Sequence, residues 1–390
     1  MAGILEGIRI VDLTRYIAGP YCGALLADMG AEVIKVEKPG AGEATRTVGP
    51  WKDGVSLFFP AYNRNKKSVT ADLRTPQGIE VAKKLIEKSD VIIENFRVGV
   101  MDKMGLGYEE IKKINPRMIM VSVTGFGQSG PMSRRTAFDG IISSVSGVTR
   151  IEKGCVERSK GPIHDYMAAM YAAFGAVLAL YERDRTGEGQ YLDVSMVAGS
   201  SMIRTTAIAD ASVNGDEAAI SGDDSSPYGY LKAEDGWINF HAGTDPLFRR
   251  LLKLIPDNSI LGAPKYLDNI ELRVTDMDLL MEEIQIWANG KTCGELEKEF
   301  ISADIPCGIC ATPGRLLRDP HLNENGYIIR QDVQGVGEVA YMGFPFKMSA
   351  HPELEYRPAP KVGEHTEDIY RNVLQMTEDE LEQLKMEGII

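Results

Sequence analysis

The chain has only five cysteines in 390 residues, an odd number that fits a reducing compartment better than a disulfide scaffold. Basic residues are in deficit as well: 43 Lys and Arg stand against 56 Asp and Glu, a net charge of −13. A nucleic-acid partner is not expected, because affinity for a phosphate backbone needs a basic surface. No apolar run is expected to span a membrane, since the longest, from Tyr166, stops at Glu182-Arg183-Asp184-Arg185. The first residues, Met-Ala-Gly-Ile-Leu-Glu-Gly, lack a basic stretch followed by an apolar one, so no signal peptide is expected and a cytoplasmic location is. His164, His241, His321, His351 and His365 form no H-x-x-x-H pair, and no metal site is expected. There is no G-x-S-x-G elbow. Cys307-Gly-Ile-Cys310 has redox spacing but neither a second ligand pair nor a thioredoxin-like setting, so these read as buried structural cysteines.

What is present is an ordinary globular composition, 44% hydrophobic and 25% charged, in a chain long enough for two domains. The N-terminal part alternates strand and helix. Ile8–Leu13, Glu32–Val36, Ser68–Leu73, Val91–Glu94 and Met118–Val123 read as strands or extended pieces, and Pro20–Met29, Pro76–Lys88 and Tyr108–Ile114 as helices. That alternation implies a parallel sheet covered on both faces. Gly189–Met196 resembles a further strand, and the polar stretch Asn214–Ser226 reads as a linker or surface loop. A different unit follows, opening with a hairpin turned at Asp235-Gly236 and continuing with helical patterns at 245–255, 276–288 and 293–302. A final amphipathic helix lies near 377–386. Basic residues concentrate in the first 135 positions, including Lys38, Arg46, Arg64, Lys66, Lys67, Arg74, Arg97, Lys103, Arg134 and Arg135. Many read as solvated charges, and several fall where strands end, the place ligands of open parallel sheets occupy.

Asp165 is the residue of most interest. It stands in Gly-Pro-Ile-His-Asp-Tyr, just before a small-residue helix from Tyr166 to about Glu182 that is apolar on nearly every side and should be buried. A carboxylate there is either an N-cap, the commoner role, or a nucleophile. His164 invites a dyad reading, but adjacent side chains usually point apart, and a satisfied structural histidine is at least as good an account. Gly125-Phe-Gly-Gln-Ser-Gly130 matches G-x-G-x-x-G after a strand, yet no helical pattern opens on it, so a flexible loop near the site is the better reading than a dinucleotide site.

Taken together these segments resemble family III CoA-transferases, the formyl-CoA:oxalate, carnitine and bile-acid group. The likeness runs nearly end to end through Leu5-Glu-Gly-Ile-Arg-Ile-Val-Asp-Leu-Thr, Gly19-Pro20, Ala27–Gly40, Asn63-Arg-Asn-Lys-Lys-Ser, Glu94-Asn-Phe-Arg-Val-Gly, Asn115-Pro-Arg, Gly125–Pro131, Arg185-Thr-Gly-Glu-Gly-Gln and Gly363-Glu-His-Thr. The resemblance implies an α/β fold: a Rossmann-like parallel-sheet large domain (1–205, completed by 328–390), a linker (206–226) and a smaller α+β domain (227–327), in an interlocked homodimer. It implies that Asp165 is the nucleophile, passing CoA from a donor acyl-CoA to an acceptor carboxylic acid through an aspartyl anhydride and an aspartyl-CoA thioester. No tightly bound cofactor is implied; the coenzyme A thioester is a substrate. The resemblance also places Lys38 near the adenine and 3′-phosphate, with Asp72, Leu73 and Arg74 along the nucleotide. Asn95, Phe96 and Arg97 then line the pantetheine and diphosphate channel, with Lys103 as a further basic contact. Ala137, Phe138 and Asp139 fall near the thioester, and Ile17 and Ala18 on the loop over the acyl group.

Two alternatives compete. A 2-methylacyl-CoA racemase shares the scaffold but needs two bases, and the position of its histidine is Phe138 here. A non-catalytic acyl-CoA-binding subunit has no use for a retained Asp165. Phe240-His-Ala-Gly-Thr-Asp stands where oxalate-type enzymes have a glycine run, which disfavours a formyl/oxalyl pair. Ile17 and Ala18 suggest a larger or less polar acyl group, and Arg15 and Tyr16 are candidates for binding a substrate carboxylate or hydroxyl.

Overall fold

Short strands rich in Val and Ile, apolar on both faces, decide the centre of the molecule. A computed structural model describes residues 3–152, 155–157, 161–215, 225–256 and 259–390. The chain divides into two compact units, Met1–Thr205 with Glu324–Ile390, and Thr206–Asn323. The first holds strands β1 (Arg9–Asp12), β2 (Glu32–Glu37), β3 (Lys67–Thr70), β4 (Val91–Glu94), β5 (Ile119–Thr124) and β6 (Tyr191–Ser195). They form one parallel sheet in the order β6-β5-β4-β1-β2-β3. The chain winds outward from β1 to β3, then returns to β4 on the other side of β1. That reversal leaves a crevice beyond the carboxyl ends of β1 and β4, the position where such sheets bind ligands.

Helices α1 (Ala18–Asp28), α2 (Pro76–Glu87), α3 (Asp139–Val145), α4 (Ile163–Thr186) and α5 (Met196–Ser201) surround the sheet. On one face Ile10, Val33, Ile93 and Val121 pack against Leu26 of α1 and the alanine stripe of α4, Ala168, Ala172, Ala176 and Ala179. On the other, Val11, Ile34 and Ile92 meet Val81, Leu85 and Ile86 of α2, and Ile369, Tyr370 and Leu381 from the C-terminal segment close the layer. The start of α2 is written locally: Thr75 accepts the Gly78 N–H at 3.0 Å and Pro76 stands in the first turn.

The expected strands and helices of this unit are found with ends shifted by up to three residues. Three details differ from the sequence reading. The long helix begins at Ile163, and at 24 residues it is long and apolar enough to cross a membrane by length and composition. Its alanine face is packed into the sheet, the situation of a core helix. Its opposite face, however, is not buried: Met170, Tyr171, Phe174, Val177, Leu178 and Tyr181 are exposed in the single chain. Finally, Arg64 and Lys66 are no surface charges. Arg64 forks onto buried Asp28, with Nη2 2.6 Å from Oδ2, and Lys66 is enclosed beneath α1 with Asp12.

The second unit has its own sheet, Tyr228–Ala233, Gly236–His241 and Cys307–Ile309 in antiparallel order. The hairpin turns at Glu234-Asp235, one residue before the Asp235-Gly236 pair expected there; Gly236 is already paired with Ala233. Phe240 stacks on Phe300 at 5.1 Å, and Leu231, Ile238, Phe248, Leu280 and Ile284 complete the core. The supposed linker begins in a helix, Thr205–Asn214, and residues 216–224 lie outside the described residues. Cys307 is half-buried and Cys310 exposed, which overturns the reading of this pair as buried cysteines. Cys310 follows the last residue of an edge strand.

Candidate active site

The site is built where α1 and α4 both begin. Asp165 is the third residue of α4, not its cap. The capping role falls to Asp139, at the start of α3, whose Oδ1 accepts the N–H groups of His164 at 2.8 Å and Asp165 at 3.2 Å. Asp139 thus satisfies donors that Asp165 would otherwise have to serve, and leaves the Asp165 carboxyl free. That carboxyl lies close to the backbone N–H of Ala18, the first residue of α1. Its pKa is pushed up to about 7 by burial and by the negative Asp139 nearby; the Ala18 N–H opposes the rise.

Aromatic side chains supply the burial. Tyr21, Tyr62 and Tyr166 form a triangle, with Tyr21 and Tyr166 centroids 4.6 Å apart and the Tyr166 hydroxyl 3.3 Å from that of Tyr62. Burial raises the Tyr62 phenol above its usual range, reinforced by the Tyr166 bond, and the charge of Asp165 adds to the rise. None of these tyrosines was singled out in the sequence, because an aromatic near a small-residue helix reads as core.

Ile17 and Ala18, expected on a covering loop, are the cap and first residue of α1, and both are buried. The turn before them contains Tyr16 with φ of +68°, a left-handed conformation that side chains rarely adopt. Phe138, exposed, sits edge-on to Tyr16 at 6.1 Å. Ala137 presses on the Gly125 backbone so closely that a Cβ there would lie 2.3 Å from the Ala137 Cβ. Gly125 is therefore fixed by contact, while Gly127 and Gly130 adopt φ of +80° and +86° and no helix follows until Asp139.

Asn95 joins the ends of β1 and β4. Its Oδ1 accepts the Arg15 N–H at 2.9 Å and its Nδ2 donates to the Arg15 carbonyl at 2.7 Å. The Phe96 N–H donates to Glu94 Oε2 at 2.8 Å, and the Arg15 guanidinium lies 5.3 Å from the Phe96 ring centre. Glu94, fully enclosed beneath this turn, is pushed up to about 7 by burial. Asp165, Ile17, Ala18, Phe138, Asp139, Asn95 and Phe96 thus form one linked group at the crevice.

Lys38, Asp72, Leu73 and Arg74 lie apart from it, past the ends of β2 and β3. Asp72 holds Arg74 through a forked ion pair, and that bond, aided by the Lys38 charge, draws its carboxyl down to about 2. Leu73 packs on the lower core. Arg97 and Lys103 are exposed on the segment after β4. His164 turns away from Asp165: its Nδ1 lies 2.9 Å from Ser200 Oγ on α5 and the ring is fully buried.

The sheet order, the crevice and the carboxyl at the helix start agree with what comparison of the whole chain shows. The model of CoA-transferase family III matches residues 5–366, and the chain belongs to that family. It is 34% identical over 400 residues to a succinyl-CoA–D-citramalate CoA-transferase of Chloroflexus aurantiacus, across 99% of this chain and 98% of that one. It is also 34% identical over 394 residues to the succinyl-CoA:glutarate CoA-transferase of Mus musculus, across 99% and 90%. A crystal structure of a CAIB/BAIF family protein from Brucella suis matches with a TM-score of 0.83 at 30% identity, covering 96% of this chain and all of that one. By class the protein is an acyl-CoA:carboxylate CoA-transferase.

Proposed function

We propose that the enzyme moves CoA from a donor such as succinyl-CoA to a small dicarboxylic acid through covalent intermediates on Asp165. The observation that carries the nucleophile is an uncapped, partly buried carboxyl with pKa near 7, facing a helix N-terminus. The Asp165 oxygen attacks the thioester carbonyl, and the C–S bond breaks to give a mixed anhydride and CoA thiolate. The thiolate attacks the aspartyl carbonyl, releasing the donor acid and leaving an aspartyl-CoA thioester. The acceptor carboxylate attacks that thioester and expels the thiolate, which then takes the acceptor acyl group and frees Asp165. At each addition the Ala18 N–H is disposed to donate to the oxygen that gains charge. The route consumes no external energy and uses the CoA thioester only as substrate.

The dicarboxylate class is supported by the relatives, whose names pair succinyl-CoA with citramalate, glutarate and malate. Arg15, exposed on the rim beside Tyr16, is the cation proposed to meet the distal carboxylate. For CoA itself, Lys38 and the Asp72–Arg74 turn would take the nucleotide, and Asn95, Phe96, Arg97 and Lys103 the diphosphate and pantetheine. Ala137 and Phe138 would flank the thioester. A racemase would need a second base; Phe138 cannot move a proton and His164 is committed to Ser200.

The test is intact mass after incubation with a panel of acyl-CoAs, followed by hydroxylamine trapping and peptide mapping. Succinyl-CoA should give an adduct at Asp165 that is absent in Asp165→Ala. No adduct with any donor, together with loss of α-deuterium from a 2-methylacyl-CoA, would replace this reading with the racemase.

The uncovered face of α4 supports a homodimer, since six large apolar side chains along one stripe call for a partner surface. Sedimentation should give twice the mass of one chain at micromolar concentration. Phe174→Glu should shift it towards the single-chain mass; a single-chain mass for the unaltered protein would refute the pairing.

A further inference from the structure

Five backbone polar groups of the turn that delivers Ala18 are held by side chains. The Thr14 N–H donates to Asp12 Oδ1 at 2.8 Å, and the Thr14 carbonyl accepts from Lys35 Nζ at 2.9 Å. Asn95 takes both groups of Arg15. The Tyr16 N–H, at the left-handed residue, donates to Glu43 Oε1 at 3.0 Å. Two residues later α1 begins, and its first N–H lies close to Asp165.

Glu43 is the unexpected member of this set. It stands in the loop after β2, only 6% exposed, and enters no ion pair among the described residues. A buried carboxylate without a cation is costly unless hydrogen bonds compensate it. Here they are the Tyr16 N–H, the Thr45 N–H at 3.3 Å and the Thr45 hydroxyl. The loop is itself anchored, because the Glu43 N–H donates to Glu37 Oε2 at 2.8 Å and Glu37 is forked onto Arg46. A left-handed conformation is disfavoured for a non-glycine residue and persists only where its surroundings impose it.

We infer that Glu43 is a positioning residue of the reaction: it holds Tyr16 in its left-handed turn and thereby aims the Ala18 N–H at Asp165. This rests on the reading of Asp165 as the nucleophile. Glu43 touches the turn rather than the substrate, so its loss acts on the chemical step and not on CoA binding.

The experiment follows Asp165 acylation by succinyl-CoA in rapid-quench mass spectrometry across pH, with CoA binding measured separately by calorimetry. Glu43→Ala should slow acylation roughly 10- to 100-fold, the scale of a misplacement near 1 Å. It should also move the acidic limb of the rate profile to higher pH, because the Ala18 N–H that opposes the rise of the Asp165 pKa is displaced, and leave the Kd for CoA unchanged. Glu43→Gln, which keeps an oxygen for the Tyr16 N–H, should recover most of the rate and restore the limb. Thr45→Val, which removes only the hydroxyl contact, should resemble the unaltered enzyme. Should Glu43→Ala not fold, Glu43→Asp keeps the charge but withdraws the acceptor by one methylene, and it should show the same slowing and shift. Acylation at the original rate and pH profile in either variant, or an equal loss in Thr45→Val, overturns the inference. An unaltered enzyme that forms no Asp165 adduct overturns the nucleophile reading instead.

Discussion

Asp165→Ala should abolish turnover while making the free protein more stable than the unaltered one above pH 7. Removal of a covalent nucleophile should cost at least about 10³-fold in kcat, since removing a comparable group in a hydrolase costs still more. The stability effect follows from the raised pKa. In the unfolded chain this carboxyl titrates near its ordinary 3.8, whereas in the folded protein it titrates near 7. Between those values the folded state holds a proton that the unfolded state has given up, so stability falls as pH rises through the window. Above pH 7 the folded protein carries an ill-solvated charge, and alanine relieves it. Because the carboxyl retains some solvent contact, the gain should be about 1–2 kcal/mol and not the full value of the shift. Melting temperatures at pH 5 and pH 8 measure it: the variant should gain at pH 8 relative to pH 5, and an equal difference at both would remove the argument. The same ionisation predicts that kcat/KM falls tenfold per unit below pH 7 and levels above it. Asp139→Asn keeps the Oδ1 acceptor and removes the like charge, so it should move that limb to lower pH.

The sheet was legible because its strands are short runs of β-branched residues separated by helical periodicity, a pattern that burial on both faces imposes. Helix ends were less so. Asp165 looked like a cap because Asp is a preferred cap and follows Gly-Pro. In the structure Asp139, 26 residues earlier, does the capping, and no local signal could announce that. The same holds for Glu43 and Asn95: each acts on a backbone group remote in sequence, so only their chemical types were visible. The α4 helix was read as buried all round from its composition. One face is covered by the sheet and the other carries six exposed large apolar side chains in the single chain, a distinction that apolarity alone cannot draw. Arg64 and Lys66 misled in the opposite sense, since a cluster of cations reads as surface until the buried aspartates facing them are known.

The buried charges under α1 should give the largest stability effects in the molecule, and in a definite order. Lys66 Nζ lies 2.7 Å from Asp12 Oδ2 and also donates to the Pro20 carbonyl and Asn63 Oδ1, while Lys35 Nζ lies 3.8 Å from Asp12 Oδ1. All three side chains are fully enclosed. Burial by itself would raise the Asp12 carboxyl, but the two ammonium groups overcome it and keep it below its ordinary range; burial pushes Lys66 down to about 8. Lys66→Met leaves one carboxylate facing Lys35, a pair still balanced. Asp12→Asn leaves two cations facing each other with no anion between them. Breaking a buried pair typically costs about 3–5 kcal/mol, so Asp12→Asn should sit at or beyond the upper end and Lys66→Met at the lower. At roughly 2 °C per kcal/mol for a unit of this size, melting should drop by about 6 °C in Lys66→Met and about 10 °C in Asp12→Asn. The Asp12→Asn deficit should shrink towards pH 9, where buried Lys66 can shed its proton, and the Lys66→Met deficit should not. Asp12 Oδ1 also accepts the Thr14 N–H at the root of the turn that carries Ala18, whereas Lys66 Nζ lies behind α1. Asp12→Asn keeps an Oδ1 acceptor for the Thr14 N–H, so both variants should retain the acylation rate below their melting ranges. Equal destabilisation, or a larger loss in Lys66→Met, would mean that Asp12 is not the anion that holds the two ammonium groups together.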